Sequence, residues 1–368
     1  MRNRTYEKWK KQMLLSAKER KVPIVGHFEL TPRCNLDCKM CFIHNQDSNA
    51  LKERELSTEK WKQIFDEAYD CGMMFANLTG GECLLRHDFK ELYLHLWKKR
   101  VFITVMTNGI MIDSEMLAFF REYPPVAVQI SLYGSNEEGY LRVTGHRGYE
   151  KAVAAIWGLT ELNIPVHVAV TPSKAMGDDM INIHRFCKEN KIWCEPSVFY
   201  LAKKRDASSE NDQSLSIDEI IKLSIEQAKV HSELTPFEGV LPPCGGSSTE
   251  APRGTTCTAG NAIAVVSWDG IMHPCTLLLV GTASVKEMSY AEAWEKTKQA
   301  AQDILQGMEC VGCAYHEACP KCPAMRLTGY DTGHCNPDVC EVTRKLVEVG
   351  ARKLPAPGET TEDLHTGI

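Results

Sequence analysis

Three cysteines near the N-terminus are the residues of this sequence best suited to chemistry: Cys34, Cys38 and Cys41, spaced C-x3-C-x2-C. Three thiolates can ligate three irons of a cubane iron–sulfur cluster and leave the fourth iron open to a small molecule. A structural zinc site would need four closed ligands, usually in C-x2-C pairs. A free or disulfide-bonded triplet is the other alternative. Because the three cysteines lie too close together for ordinary core residues, the spacing favours an iron–sulfur site.

The triplet resembles the signature of the radical SAM superfamily, apart from Met40, which stands where the family usually has an aromatic residue. The resemblance implies that a [4Fe–4S] cluster binds the amino and carboxylate groups of S-adenosylmethionine at its open iron. It further implies that an electron from this cluster cleaves the cofactor to a 5'-deoxyadenosyl radical, which abstracts hydrogen from a substrate. An electron donor such as flavodoxin or ferredoxin is the partner that such chemistry needs.

A second motif, Gly80-Gly81-Glu82, follows a predicted strand and resembles the Gly-Gly-Glu motif that holds the methionyl amino group in this family. Glycines let the backbone approach a ligand closely, and a carboxylate beside them can accept a hydrogen bond from an ammonium group. Cys83 stands where a proline is common in the family.

Three further residues are candidates for contacts with the cofactor. Asn108 ends a predicted strand in Thr-Asn-Gly, which is also a common turn sequence. Ser131 matches a polar residue that the family directs toward the ribose or the carboxylate. Arg142 lies in a stretch similar to one found in many members, and its guanidinium could pair with the methionyl carboxylate in a fork. A solvated surface arginine is the alternative for Arg142.

Nine of the sixteen cysteines lie after residue 240, which indicates a second metal-binding region. Their spacing resembles the SPASM extension of radical SAM enzymes, which carries two auxiliary [4Fe–4S] clusters, so the resemblance implies three clusters in all. It assigns Cys244, Cys257, Cys275 and Cys322 to the nearer auxiliary cluster. It assigns Cys310, Cys313, Cys319 and Cys340 to the farther one, with Cys335 competing for the last position.

The auxiliary pattern departs from the family at one point, because Cys319 and Cys322 are separated by two residues where the family has three. Two zinc ribbons are the structural alternative, since they also use C-x2-C pairs. The remaining cysteines are predicted to be buried small hydrophobic residues rather than ligands: Cys71, Cys83, Cys187 and Cys194.

The segments between the motifs predict an α/β fold: an open, partial (β/α)6 barrel followed by a small Cys-rich cluster domain. Six predicted strands alternate with helical stretches, a pattern typical of βαβ units, and the chemistry of parallel sheets lies at the carboxyl ends of the strands. These strands are 25–30, 73–78, 101–106, 126–132, 166–170 and 193–200. A β-hairpin is predicted over 264–275, around Asp269-Gly270. The expected divisions are an N-terminal helix within 1–24, the barrel at 25–205, a connecting helical segment at 206–240, the auxiliary-cluster domain at 241–345 and a tail at 346–368.

Composition excludes several classes of function. The formal net charge is -6 and no long basic run occurs, which argues against a nucleic-acid partner. No apolar run is long enough to span a membrane, and no export signal is evident. Many cysteines in a chain without such a signal indicate metal ligation in a reducing, cytoplasmic compartment.

The family resemblance also implies a class of reaction. Auxiliary clusters suit an oxidative outcome, because a substrate radical must lose an electron. SPASM relatives mostly modify peptides, so the resemblance implies a peptide substrate, with a thioether or carbon–carbon crosslink in a ribosomal peptide as the first hypothesis. Formylglycine formation ranks lower, because Thr276 follows Cys275 where those enzymes are expected to have an aspartate. The alternative is oxidation of a small molecule such as an aminoglycoside.

A non-catalytic iron–sulfur or zinc scaffold would need no nucleotide pocket, so the Gly-Gly-Glu motif and Ser131 argue against it. The triplet begins at residue 34, so no leader-peptide-binding domain is expected ahead of it. The proton acceptor is not identified. Glu29, Tyr133 and His167 are candidates from strand position alone.

Overall fold

The computed structural model describes residues 4–43, 52–194, 213–232, 234, 238–281, 283–327 and 333–354. Within these residues the strands are β1 Val25–Glu29, β2 Phe75–Thr79, β3 Phe102–Thr107, β4 Ala127–Ser131, β5 Val166–Ala169, β6 Trp193–Cys194, β7 Ile263–Val266, β8 Ile271–His273 and β9 Ala283–Ser284. They form one sheet in the order β6-β5-β4-β3-β2-β1-β7-β8-β9.

The helices of the described residues lie before, between and after these strands. They are α1 Arg4–Arg20, α2 Thr58–Asp70, α3 Phe89–Lys98, α4 Ser114–Glu122, α5 Glu137–Thr144, α6 Tyr149–Glu161, α7 Asp179–Glu189, α8 Ile217–His231, α9 Tyr290–Asp303, α10 Pro323–Leu327 and α11 Pro337–Glu348. Two short 3-10 helices cover Cys83–Leu85 and Met308–Cys310. None of the described helices is long and apolar enough to cross a membrane.

The first six strands are parallel neighbours, which confirms the predicted partial (β/α)6 barrel. β7 adds a further parallel strand on the other side of β1, and β8 and β9 then continue the sheet in antiparallel order. The hairpin predicted around Asp269-Gly270 is therefore present as β7 and β8. Because these strands belong to the segment expected to form the auxiliary-cluster domain, one sheet joins that segment to the barrel. The division at residue 241 stays a prediction.

The core lies between the sheet and the helices that cover it. Phe28 of β1 packs edge-on against Trp61 and Phe65 of α2, at ring-centroid distances of 6.1 and 4.9 Å, and all three side chains are fully buried. Full burial of an aromatic side chain of this size contributes roughly 1.5–3 kcal/mol. This layer therefore holds β1, and the loop that follows it, against the rest of the sheet.

Helix α1 covers the amino ends of the strands. The Trp9 ring lies 5.7 Å from the Phe75 ring and 5.3 Å from the Phe102 ring, and both phenylalanines open their strands. Leu14 and Ala17 are buried in the same cluster. The amino end of the sheet is thus covered, and the opposite, carboxyl end carries the candidate site.

Helix α5 was not predicted, although residues typical of helix caps stand at both of its ends. The Asn136 side chain accepts a hydrogen bond from Gly139 N at the amino end, and Gly145 ends the helix at a φ of 73°. The sixth strand was predicted over 193–200, of which 195–200 lie outside the described residues.

Candidate active site

The cysteine loop leaves β1 and lies on the turn that follows β2. Gly81 N donates to Thr31 O at 2.7 Å, and Glu82 N donates to Arg33 O at 2.7 Å. Leu30 N donates to Thr79 O at 2.8 Å, which continues the strand pairing up to the turn. The Gly-Gly-Glu turn therefore supports the backbone that carries Cys34.

The two glycines of this turn are needed for that contact. A Cβ on Gly80, whose φ is +141°, would lie 2.3 Å from Thr31 O, and a Cβ on Gly81 would lie 2.3 Å from Arg33 O. No side chain fits at such distances. The close neighbour of both glycines is the backbone of the cysteine loop. Their role toward a cofactor stays a prediction.

The other side of the cysteine loop is attached to the carboxyl end of α5. Asp37 N donates to Thr144 O at 2.8 Å, and Lys39 N donates to Val143 O at 3.0 Å. Carbonyls in the last turn of a helix lack hydrogen-bond donors within the helix. Here the backbone N–H groups of the cysteine loop are the donors. The stretch that the sequence singled out for Arg142 thus has a structural role through its backbone, which sequence reasoning missed.

A buried ion network fixes the start of the same loop. The Arg33 guanidinium donates to Glu55 at 2.6 and 3.2 Å, and Thr31 Oγ1 donates to the same carboxylate at 2.5 Å. Arg86, which is 6% exposed, donates to Leu30 O at 3.0 Å and to Asp88 at 2.7 and 2.8 Å. No sequence motif predicts this network, because its members come from distant parts of the sequence.

Glu82 is fully buried beside the loop and Asn108. Its carboxylate accepts hydrogen bonds from Thr107 Oγ1 at 2.8 and 2.9 Å, from Asn108 N at 2.8 Å and from Leu84 N at 3.0 Å. Burial raises the pKa of Glu82, and these hydrogen bonds act in the opposite direction. The carboxyl group is therefore held rigidly next to the cysteine loop.

The side chain of Asn108 connects this carboxylate to the cysteines. Its amide donates to Asn35 Oδ1 at 2.7 Å and approaches Cys34 Sγ at 3.9 Å. Glu82 and Asn108, which were predicted from separate motifs, are thus in contact with each other, and Asn108 approaches the first cysteine of the triplet. Their roles toward a cofactor stay predictions.

The three thiols of the triplet are partly exposed at the carboxyl end of the sheet. Burial raises the pKa of Cys34 to about 12, and the Glu82 carboxylate adds to that effect. Burial also raises the pKa of Cys38, with Cys41 and Cys34 adding to the effect. Thiolates are the ligands that hold iron–sulfur clusters, so these neighbouring donors fit that group. Across the ranges described above, no three His, Cys, Asp or Glu side chains are arranged to hold a metal ion.

Ser131 and Arg142 lie in different surroundings. Ser131 ends β4 and hydrogen-bonds to Tyr133, whose pKa burial raises to about 12, with the Cys38 thiol adding to the effect. Ser131 therefore contacts Tyr133 at the carboxyl end of β4. The Arg142 guanidinium instead contacts the buried carboxylate of Asp179 and donates to Ala175 O at 2.9 Å. Its predicted pairing with a methionyl carboxylate stays a prediction.

The cysteines of the C-terminal region form two groups that meet at Cys322, which lines one pocket together with Cys310, Cys319, Cys335 and Cys340. The first is Cys257, Cys275 and Cys322, which pack around one apolar cluster. Burial raises the pKa of Cys275 to about 11, with the other two thiols adding to the effect. The second group lines a cavity of about 350 Å³: Cys244, Cys310, Cys313, Cys319, Cys335 and Cys340.

Both candidates for the last ligand of the farther cluster, Cys335 and Cys340, line the cavity of the second group. Cys335 Sγ lies 2.9 Å from Cys310 Sγ, and Cys340 lines the same cavity. The four remaining cysteines are mostly buried, as predicted for Cys83, Cys187 and Cys194. Cys71 differs, because it follows the last residue of α2 as a cap and is only partly buried.

A parallel half-barrel that presents three neighbouring cysteines beside a Gly-Gly-Glu turn is the arrangement of a radical SAM enzyme. Residues 28–187 match the family model described as the Radical SAM superfamily. The chain therefore contains a radical SAM domain.

Similar proteins extend this likeness beyond the matched segment. The AdoMet-dependent heme synthase of Methanosarcina barkeri is 24% identical over 318 residues, which cover 81% of this chain and 90% of that protein. The sporulation killing factor maturation protein SkfB of Bacillus subtilis is 26% identical over 274 residues, or 74% of this chain and 64% of that protein. The crystal structure of Streptococcus suis SuiB bound to precursor peptide SuiA shares the fold, with a TM-score of 0.63 at 14% identity over 93% of this chain and 82% of that chain.

Proposed function

We propose that this protein cleaves S-adenosylmethionine reductively and oxidises a peptide substrate, forming a thioether or carbon–carbon crosslink in a ribosomally made peptide. The observation that carries the radical chemistry is the convergence of Cys34, Glu82 and Asn108 at the carboxyl end of the sheet. Support for a peptide substrate comes from SkfB, which is named as a maturation protein, and from SuiB, which was crystallised with its precursor peptide.

Different residues of the site would bind the cluster and the cofactor. Cys34, Cys38 and Cys41 would hold the [4Fe–4S] cluster, which supplies the electron that breaks the sulfonium bond. Glu82 would accept the methionyl ammonium as a charge-assisted hydrogen bond inside a buried setting. Asn108 and Ser131 would orient the cofactor by hydrogen bonds to its polar groups.

The C-terminal cysteines would hold two auxiliary [4Fe–4S] clusters, which would supply an acceptor for the electron that a substrate radical loses when it is oxidised to product. An external donor of the flavodoxin or ferredoxin type would reduce the first cluster. The cavity lined by six cysteines supports at least one auxiliary site, because a cubane takes four thiolates.

The test of the radical chemistry is the formation of 5'-deoxyadenosine by anaerobically reconstituted, reduced protein. Wild type should produce it, and the Cys38→Ala variant should not, because one ligand of the cluster is lost. Cys71→Ala is the matched control, since Cys71 is a partly buried cysteine outside the site, and it should retain cleavage. Retained cleavage in Cys38→Ala would overturn the assignment.

The substrate is tested separately with short peptides encoded beside the gene. A crosslinked product should be lighter than its precursor by two hydrogens, which mass spectrometry detects. Deoxyadenosine formation with no change in any such peptide would contradict the peptide assignment and leave the radical chemistry intact.

Oxidation of a small molecule is the second candidate. The observation in its favour is the heme synthase of Methanosarcina barkeri, which this chain matches over 90% of that protein's length. A porphyrin or an aminoglycoside that is modified in the same assay, in the absence of peptide, would favour this candidate.

A further inference from the structure

Tyr140 has a buried hydroxyl group that makes no hydrogen bond. The residue lies on α5, its side chain is fully buried, and its Oη has no partner among the residues that the structure describes. An unpaired buried hydroxyl destabilises a folded chain, because its hydrogen bonds to water are lost and nothing replaces them. Phenylalanine would fill the same space without that loss. A hydrogen-bond acceptor on a bound group would account for the tyrosine.

The cysteine loop lies against the end of α5 that carries Tyr140. Both sequence neighbours of Cys38 donate from their backbone N–H groups to the last carbonyls of α5, at 2.8 and 3.0 Å. Tyr140 lies one helical turn before these carbonyls. Burial raises the pKa of Tyr140, and Cys38 makes the largest contribution among the charges that add to the effect, with smaller ones from Cys34 and Glu82. The phenol is therefore within electrostatic range of the cysteine triplet.

The backbone and ring of Tyr140 have closely packed neighbours. A Cβ on Gly134 would lie 2.2 Å from Tyr140 N, and a Cβ on Gly148 would lie 3.3 Å from the ring atom Cε1. Thr144 Oγ1 donates to Tyr140 O at 2.8 Å. The hydroxyl is thus held in place before any group binds, so little conformational freedom is lost when it finds an acceptor.

We propose that the hydroxyl of Tyr140 donates a hydrogen bond to a sulfur of the [4Fe–4S] cluster held by Cys34, Cys38 and Cys41, and that this bond raises the reduction potential of the cluster. Hydrogen bonds to the sulfurs are among the features that set the potential of such a cluster. A donor stabilises the reduced cluster more than the oxidised one, because reduction adds negative charge. The inference rests on the first cluster of the proposed function and adds the residue that makes this cluster easier to reduce.

The experiment compares wild type with Tyr140→Phe and Tyr290→Phe. Tyr290 is the matched control: it is fully buried on α9, and its hydroxyl also lacks a partner among the described residues. Burial raises the pKa of Tyr290 as well, but the charge that adds to the effect is Cys71, which is outside the triplet. Each protein is reconstituted anaerobically and its reduction is followed by EPR at controlled potentials. The signal of the first cluster is identified as the one that changes when S-adenosylmethionine is added.

At a fixed potential without S-adenosylmethionine, the ratio of reduced to oxidised first cluster should be about tenfold lower in Tyr140→Phe than in wild type, because a hydrogen bond to a charged group is lost. This change corresponds to a lowering of about 59 mV for a one-electron couple. Tyr290→Phe should match wild type. The signals of the auxiliary clusters should keep their potentials in all three proteins.

Urea denaturation of the iron-free proteins separates this role from a structural one. The hydroxyl of Tyr140 has no partner in the described part of the chain, so Tyr140→Phe should be at least as stable as wild type when iron is absent. A variant that fails to fold, or is clearly less stable than wild type without iron, would show that the hydroxyl serves the fold and would overturn the inference.

An equal or higher potential in Tyr140→Phe would also overturn the inference. If the potential is unchanged while the affinity for S-adenosylmethionine falls, the hydroxyl binds the cofactor instead of the cluster. Wild type that binds no iron at the cysteine triplet would refute the proposed function itself, which is a separate failure.

Discussion

At the residue scale, Glu82 is a buried carboxylate that accepts hydrogen bonds from Thr107, Asn108 and Leu84. Replacing it by Gln removes the charge that would bind the methionyl ammonium, and a charge-assisted bond of this kind is worth roughly 1.5–3 kcal/mol. Glu82→Gln should therefore weaken the binding of S-adenosylmethionine by about ten- to a hundredfold. The measurement is a titration of the anaerobic protein that follows the EPR signal of the reduced cluster.

The control for this titration is Glu91→Gln, because Glu91 is an exposed carboxylate on α3 whose partner is Lys62. Its affinity for the cofactor should equal that of wild type. Equal affinities for all three proteins would remove Glu82 from the cofactor site.

At the scale of elements, α5 determines the position of the cysteine loop through two hydrogen bonds from the loop to its last carbonyls. Asn136 caps the other end of this helix, and loss of such a cap costs about 1 kcal/mol. Asn136→Ala should therefore make the loop less ordered and let iron leave the first cluster faster. The rate is measured by the transfer of iron to a chelator in the absence of oxygen.

Ser216→Ala provides the comparison, because Ser216 caps α8 in the same manner but at a distance from the cysteine loop. Both variants should lose similar stability, and only Asn136→Ala should lose iron faster. Identical rates would show that α5 does not support the loop.

Helices α7 and α8 are joined by His184, which is fully buried with Nε2 at 3.0 Å from Gln227 Nε2 and Nδ1 at 3.3 Å from His231 Nε2. Burial lowers the pKa of His184 from 6.5 to about 4, and His231 adds to the effect. Between these values the unfolded chain binds a proton that the folded chain does not, so acid favours unfolding. The free energy of unfolding should fall by roughly 2 kcal/mol between pH 7 and pH 5 through this residue.

Urea denaturation at these two pH values measures the effect. His184→Asn should lose less stability on acidification than wild type, and substitution of the exposed His87 by Asn should leave the loss unchanged. A loss in His184→Asn as large as that of wild type would exclude this origin for the pH dependence.

The elements differ in how far the sequence predicts them. Apolar runs such as Phe102–Thr107 predict their strands because the pattern is local, and the Ser57 cap of α2 is visible for the same reason. The ion network of Glu55 and Arg86, and the position of Cys244, depend on contacts between distant segments, which no local pattern encodes. The sequence identified the glycines of the Gly-Gly-Glu turn. It did not predict that the backbone of the cysteine loop lies against them.

At the scale of the whole molecule, the cysteine groups lie in separate parts of the chain and should bind iron independently. Reconstituted wild type should carry about 12 irons, four for each of three cubanes. Replacing Cys34, Cys38 and Cys41 by Ala should lower this number to about eight and abolish cleavage of S-adenosylmethionine. Iron and zinc are counted by elemental analysis, and saturation at about four irons with tightly bound zinc would refute the auxiliary clusters.

The central place of β1 has a consequence for how the protein is made. β1 begins at Val25, but the strand that pairs with its second edge begins only at Ile263. While the ribosome is still adding the segments between them, β1 has an unpaired edge, which is a surface on which other growing chains can add a strand. A chain that stops after residue 232 would keep that edge exposed permanently. The C-terminal region therefore protects the newly made barrel from aggregation as well as contributing its cysteines.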